Sequence, residues 1–191
     1  MAQVHNAINL SQGFPDFAID ETLIHLVHEA MLQGHNQYAP MPGLPALREA
    51  IATTVKQTYQ QSINADTEVT VTAGATQAIF SIISACINTG DEVIIFDPAY
   101  DSYGPAIRLA GGVPVPINLQ YPSFTIDWAR VRKSISAKTK MIMVNTPHNP
   151  SGAVLTTADM ATLQEIAEQH NLLVLSDEVY ERLVYDGHIH Q

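Results

Sequence analysis

Four short stretches place polar or aromatic residues directly after apolar runs: "TAGATQA" (72–78), "DPAYDSY" (97–103), "TPHNPSG" (146–152) and "SDEVYE" (176–181). In the first, a glycine precedes a helical pattern. The amides near Ala75 and Thr76 are then free to donate, and the helix macrodipole favours an anion there. The Thr76 hydroxyl adds a further bond. No Gly-Lys-Ser/Thr follows and the spacing is not GxGxxG, so a single phosphate suits this turn better than a di- or triphosphate. A capped helix with a close-packed glycine produces the same pattern. In the fourth stretch, Asp177 ends the apolar run "LLVLS". A carboxylate there is costly without a cationic or donor partner, and the nearest basic residue in sequence is Arg182. A protonated heterocycle nitrogen would serve, as would a helix start or a distant arginine. Tyr100 can lay a flat ring against a planar ligand, whereas Tyr103, three residues on, reads as a packing residue. In the third stretch, Pro147 and Pro150 fix their own φ and restrict the residues before them. Asn149 is therefore pushed towards extended geometry, and Gly152 permits a turn. The loop holds one amide side chain in place.

The elements that carry these stretches alternate. β-branched or apolar runs occur at 68–72 (EVTVT), 92–96 (EVIIF), 113–117 (VPVPI), 141–145 (MIMVN) and 172–176 (LLVLS). Helical patterns lie between most of them, at 75–87, 102–109, 127–134 and 159–170. Nearly continuous hydrophobic strands separated by helices predict a mainly parallel sheet covered on both faces. In such a sheet ligands sit at the carboxyl ends of the strands, where all four stretches fall. The first 45 residues differ. "NLSQGFPDF" and "NQYAPMPGLP" flank a helix near 21–33 whose Leu23, Leu26, Val27, Ala30 and Met31 predict a buried stripe. A second helix is expected over 44–59, with Leu47, Ala50, Ile51, Thr54 and Val55 on one face.

The bulk properties exclude several functions. The 191 residues carry a formal charge of -10, which opposes a nucleic-acid or anionic-membrane surface. The densest basic run, "RVRKSISAKTK" (130–140), reads as a solvated helix end and loop. The single cysteine, Cys86, excludes an internal disulfide and fits a reducing, cytoplasmic setting; it reads as a buried thiol. No apolar run reaches membrane-spanning length, and the N-terminal residues show no basic segment followed by an apolar one. His25 with His28, and His188 with His190, lack carboxylates or thiolates placed to complete a metal site. His148 borders the same crevice as Asn149 and reads as a residue that shapes the loop.

A phosphate cradle, a stacking ring, a carboxylate for a ring nitrogen, and an amide with a phenol for a ring hydroxyl together describe pyridoxal 5′-phosphate. The motifs "NLSQGFPDF", "NQYAPMPGLPALREAI", "TAGATQA", "GDEVIIFDPAYDSY", "TPHNPSG" and "SDEVYE" resemble, in the same order, those of the fold-type I, class I/II aminotransferases. The resemblance is to the branch holding methionine aminotransferase and the kynurenine/glutamine transaminases, and it covers nearly the whole chain. It implies a three-layer α/β/α cofactor-binding major domain over 46–191, incomplete at its C-terminus, preceded over 1–45 by an N-terminal arm and small-domain segment. It further implies that Ala75 and Thr76 hold the phosphate, Tyr100 stacks on the pyridine, and Asp177 pairs with its nitrogen. Asn149 and Tyr180 would bond the 3′-oxygen. Gly13, and again Asn149, would meet the substrate. Tyr38 would reach the phosphate in a neighbouring subunit, so a homodimer of the full-length protein is implied.

The same resemblance places the lysine that forms the resting Schiff base on a later strand, beyond Gln191. Lys56, Lys133, Lys138 and Lys140 match no family position for it. The family's carboxylate-binding arginine is absent as well, and five strands are legible where the resembling fold has seven. The chain therefore reads as the N-terminal half of an aminotransferase, inactive by itself and marginally stable, with no catalytic residue of its own. The implied partners are an L-amino acid (methionine, aromatic or glutamine-like) and a 2-oxo acid. The alternatives are a cysteine-conjugate β-lyase using the same residues, and a lysine-free, non-catalytic binding module.

Overall fold

Four of the five strand-patterned runs pair into one parallel sheet. In the computed structural model, which describes residues 2–9 and 17–191, these are β1 (Glu92–Asp97), β2 (Val113–Asn118), β3 (Thr139–Asn145) and β4 (Leu173–Asp177), in the order β2-β1-β3-β4. The helices are α1 (Glu21–Leu32), α2 (Pro45–Tyr59), α3 (Gly74–Cys86), α4 (Tyr103–Leu109), α5 (Trp128–Ser134) and α6 (Thr157–His170). The chain divides into two compact units, Met1–Thr70 and Val71–Gln191. That division lies further along than the expected 45/46.

Within the second unit, the two-residue period of the strands sorts side chains onto two faces. Val93 and Ile95 of β1, Met141 and Met143 of β3 and Leu175 of β4 pack with Ile79 and Ile83 of α3 and with Tyr103 and Ile107 of α4. Ile94 and Phe96, Ile142 and Val144, and Ile117 of β2 pack instead with Val131 of α5 and with Leu163 and Ile166 of α6. Both faces are covered, giving the expected α/β/α layering. The continuous apolar runs of β1 and β3 read as strands because both sides of each are buried. β2 sits at one edge with Pro114 and Pro116 opposite Val93 and Ile95, a position where a missing N–H is tolerated. β4 forms the other edge, with Leu173 and Val174 41% and 43% exposed.

Residues 68–72 form no strand, contrary to expectation. Alternation in a sequence encodes which side chains share a face. A strand also needs a hydrogen-bonded neighbour, and none of the described residues pairs with this run.

In the first unit, α1 starts at Asp20, whose side chain accepts from Thr22 N at 2.8 Å, and α2 carries Pro45 in its first turn. Arg48 of α2 is buried; it donates to the Ala65 carbonyl at 2.7 Å and pairs with Asp66 at 3.2 Å. It thereby ties the turn after α2 back to the helix. The predicted stripe on α1 is not buried: Leu23, Leu26, Val27 and Met31 are each about half exposed, and no residue of α1 is buried. The helical spacing identified an apolar face correctly but cannot show what covers it.

Candidate functional site

At the carboxyl ends of β3 and β4 lies a cleft of about 180 Å³ lined by Ala75, Thr76, Ile79, Tyr100, Asn145, Asn149, Asp177, Val179 and Tyr180. Six of the residues singled out from the sequence thus meet around one space: Ala75, Thr76, Tyr100, Asn149, Asp177 and Tyr180. Tyr38 belongs to the first unit, where its side chain is fully exposed. Gly13 lies outside the described residues.

The start of α3 forms one wall. Gly74 has φ +80°, a conformation costly for a residue with a Cβ, and it turns the chain directly into the helix. No side chain caps α3 at Ala73; the Gln77 side chain reaches back instead to accept from Ala73 N at 2.5 Å. Ala75 and Thr76 stand in the first turn, where a helix offers its own N–H groups no acceptor. On another wall, the Tyr100 ring packs edge-on against Tyr103, with centroids 5.7 Å apart and planes at 70°.

Asp177 ends β4 and is only 8% exposed. Its Oδ2 accepts the Tyr103 hydroxyl at 2.6 Å, and its Oδ1 accepts Val179 N at 3.2 Å. No lysine or arginine among the described residues forms an ion pair with it. Its two partners are neutral donors, so the carboxylate keeps most of its capacity to balance a positive group in the cleft. Burial, reinforced by the bond to Asp177, pushes the Tyr103 phenol above its usual value of 10. Tyr103 therefore remains a donor at any working pH.

The Asn149 loop is held through its backbone. Asn149 N donates to Asn145 Oδ1 at 2.6 Å, Gly152 N to the His148 carbonyl at 2.7 Å, and His148 N to the Ala153 carbonyl at 2.8 Å. Gly152 takes φ +75°, as the turn requires. The His148 ring meets Ser151 Oγ at 2.7 Å and does not line the cleft. Burial pushes its imidazole below 6.5, which keeps it neutral at pH 7. The Asn149 carboxamide makes no hydrogen bond among the described residues, and the loop presents it to the cleft.

Two residues of this site escaped the sequence reading. Tyr103 is a core residue, as expected, but its hydroxyl also fixes the orientation of Asp177. Asn145 ends β3 opposite Asp177 in the register and donates Nδ2 to the Asp177 carbonyl at 2.8 Å. Its signature, a polar residue closing an apolar strand, is the one that drew attention to Asp177. Among the described residues, no group of three or more His, Cys, Asp or Glu is placed to hold a metal, and no helix is long and apolar enough to cross a membrane.

Comparison with known proteins places this geometry in a family. The family described as aminotransferase class I and II matches residues 5–191. Methionine aminotransferase of Escherichia coli (strain K12) is 48% identical over 190 residues, covering 100% of this chain and 49% of the relative. A solved Escherichia coli structure with a methionine aminotransferase function superposes with a TM-score of 0.96 at 48% identity, across 100% of this chain and 50% of that one. N-succinyldiaminopimelate aminotransferase from Mycobacterium tuberculosis gives 0.94 at 39% identity, covering 99% of this chain and 50% of the other. The chain spans about half the length of the relatives it matches. Aminotransferases of this class depend on pyridoxal phosphate. With its motifs in order along almost all of its length, the chain belongs to the class I and II aminotransferases.

Proposed function

We propose that the cleft binds pyridoxal 5′-phosphate and that the whole protein moves the amino group of an L-amino acid to a 2-oxo acid. The observation that carries this reading is the buried Asp177 carboxylate, which has only neutral donors as partners and faces a space bordered by a helix start and an aromatic ring. That donor set suits a protonated pyridine bearing a phosphate and a ring oxygen. When bound, the cofactor supplies an electron sink for negative charge at the substrate Cα. Asp177 would favour the protonated ring nitrogen, since an adjacent anion stabilises a cation in a poorly solvated place. The Ala75 and Thr76 amides, with the Thr76 hydroxyl, would hold the phosphate against the α3 dipole. Tyr100 would restrain the ring plane, while the Asn149 carboxamide and the Tyr180 phenol would hold the ring oxygen.

The identity to methionine aminotransferase supports methionine, aromatic or glutamine-like donors, with Gly13 and Asn149 meeting the substrate. Full exposure of Tyr38 supports its reaching the phosphate in a second copy, and hence a homodimer of the full-length protein. The single cysteine supports a cytoplasmic location. None of Lys56, Lys133, Lys138 and Lys140 lines the cleft. The 191-residue chain is therefore expected to bind the cofactor without a covalent link and not to transaminate.

Equilibrium dialysis of the chain against pyridoxal 5′-phosphate tests this. One saturable site is expected, competed by inorganic phosphate and weakened about a hundredfold in Asp177→Ala, which removes a charge-assisted contact worth roughly 3 kcal/mol. Borohydride should fix no stoichiometric adduct on a single lysine. Binding that fails to saturate at millimolar ligand, or that ignores the Asp177 substitution, would end the reading.

A further inference from the structure

We propose that Asn145 is a positioning residue that couples the Asn149 loop to the end of the strand bearing Asp177. Its carboxamide spans both: Oδ1 accepts Asn149 N at 2.6 Å and Nδ2 donates to the Asp177 carbonyl at 2.8 Å. Asn145 is only 7% exposed, so both bonds are made away from bulk water, where an unmade bond is costly. It also stands directly opposite Asp177 in the β3–β4 register. Each polar atom of its side chain already has a partner within the chain. Although Asn145 lines the cleft, its role is thus to hold its neighbours, and Asn149 and Asp177 are the groups left to meet a ligand.

The two bonds differ in what depends on them. The Asp177 carbonyl also accepts Thr146 N at 3.1 Å, so it keeps a partner when the Asn145 side chain is removed. Asn149 N has Asn145 Oδ1 as its acceptor. Loss of Asn145 should therefore free the loop first and the strand end second. A residue that merely packs beneath the cleft would loosen both together. This role rests on the cofactor reading of the cleft only for its consequence in binding; the coupling itself can be read without any ligand.

The experiment uses the 191-residue chain and two substitutions. Asn145→Ala removes both bonds. Asn145→Asp keeps an acceptor for Asn149 N but sets oxygen against the Asp177 carbonyl. Amide hydrogen exchange, followed by NMR without ligand, should show Asn149 protected in the wild-type chain. Its exchange should be faster by about tenfold in Asn145→Ala and close to wild type in Asn145→Asp, while Ile142 and Val144 in β3 stay protected throughout. The dissociation constant for pyridoxal 5′-phosphate should rise about tenfold in Asn145→Ala. An exposed Asn149 amide in the wild-type chain overturns the assignment. So does equal loosening of Asn149 and β3 in a folded Asn145→Ala; if that substitution folds poorly, the wild-type Asn149 amide and Asn145→Asp remain decisive. A wild-type chain that shows the expected exchange pattern yet binds no pyridoxal phosphate supports the coupling and overturns the cofactor reading instead.

Discussion

The carboxyl end of the sheet and its β4 side treat buried chemistry in opposite ways. At the carboxyl end, polar groups close on one another: Tyr103 on Asp177, Asn145 on both Asp177 and Asn149, His148 on Ser151. Along β4, an apolar groove of about 390 Å³ runs between that strand and α3, bordered by Ala78, Ile82, Cys86, Leu173 and Val174. In the first unit, α1 likewise turns Leu23, Leu26, Val27 and Met31 outward. The polar site is thus assembled by residues of this chain, while much apolar surface is not covered by them. A polar constellation needs partners in fixed directions and is complete once these are met. Apolar surface is satisfied by any cover, so a sequence can carry it without specifying the cover.

The largest loss is expected in the buried layer under α3. Ile83 in α3 is fully buried, and Ile83→Ala should cost about 3 kcal/mol in urea unfolding. A cost below about 1 kcal/mol would mean that the layer under α3 is as open as the groove beside it. Tyr103→Phe sharpens the polar side. The ring and its edge contact with Tyr100 remain, and the loss of one buried bond to Asp177 should weaken pyridoxal phosphate by about fivefold to tenfold, roughly 1 kcal/mol, and lower the melting temperature by a few degrees.

A smaller effect is expected from pH. The folded His148 titrates below its unfolded value of about 6.5, so the unfolded chain binds more protons in that window. The stability it confers is fully present above pH 6.5 and is lost as pH falls through the folded pKa. Thermal melts between pH 7.5 and 5.5 should show a decline that His148→Gln reduces; an unchanged slope would remove His148 from the account. On the open side, Leu26→Gln should change stability by less than about 0.5 kcal/mol. A clear destabilisation there would show that α1 is covered after all.

These contrasts explain what could be read from the chain. β1, β3 and β4 were legible because runs such as "VIIF" and "MIMV" are apolar on both faces, and the ends of such strands pointed to Asp177 and to the Asn149 loop. The alternating run at 68–72 is also rich in β-branched residues yet forms no strand, because pairing is a property of two segments and not of one. Tyr103 reads from sequence as a packing residue alone, since its bond to Asp177 joins residues 74 positions apart. Asn145 closes an apolar strand as Asp177 does, but its partner across the register lies 32 positions away. The cleft residues were found by their place after strands; the residues that steady them depend on tertiary contacts that no short motif records.

Pro114 and Pro116 have a further effect. Val113 N and Leu119 N donate inward, to the carbonyls of Asp91 and Asp97 in and beside β1, so the odd-numbered residues of β2 face their neighbour and the even-numbered ones face away. Both prolines are even-numbered, and each deletes an outward donor. A newcomer approaching that margin finds carbonyls without the alternating N–H groups it would need to bind. The β-sheet is therefore directional in its growth, shut beyond β2 and receptive only beyond β4.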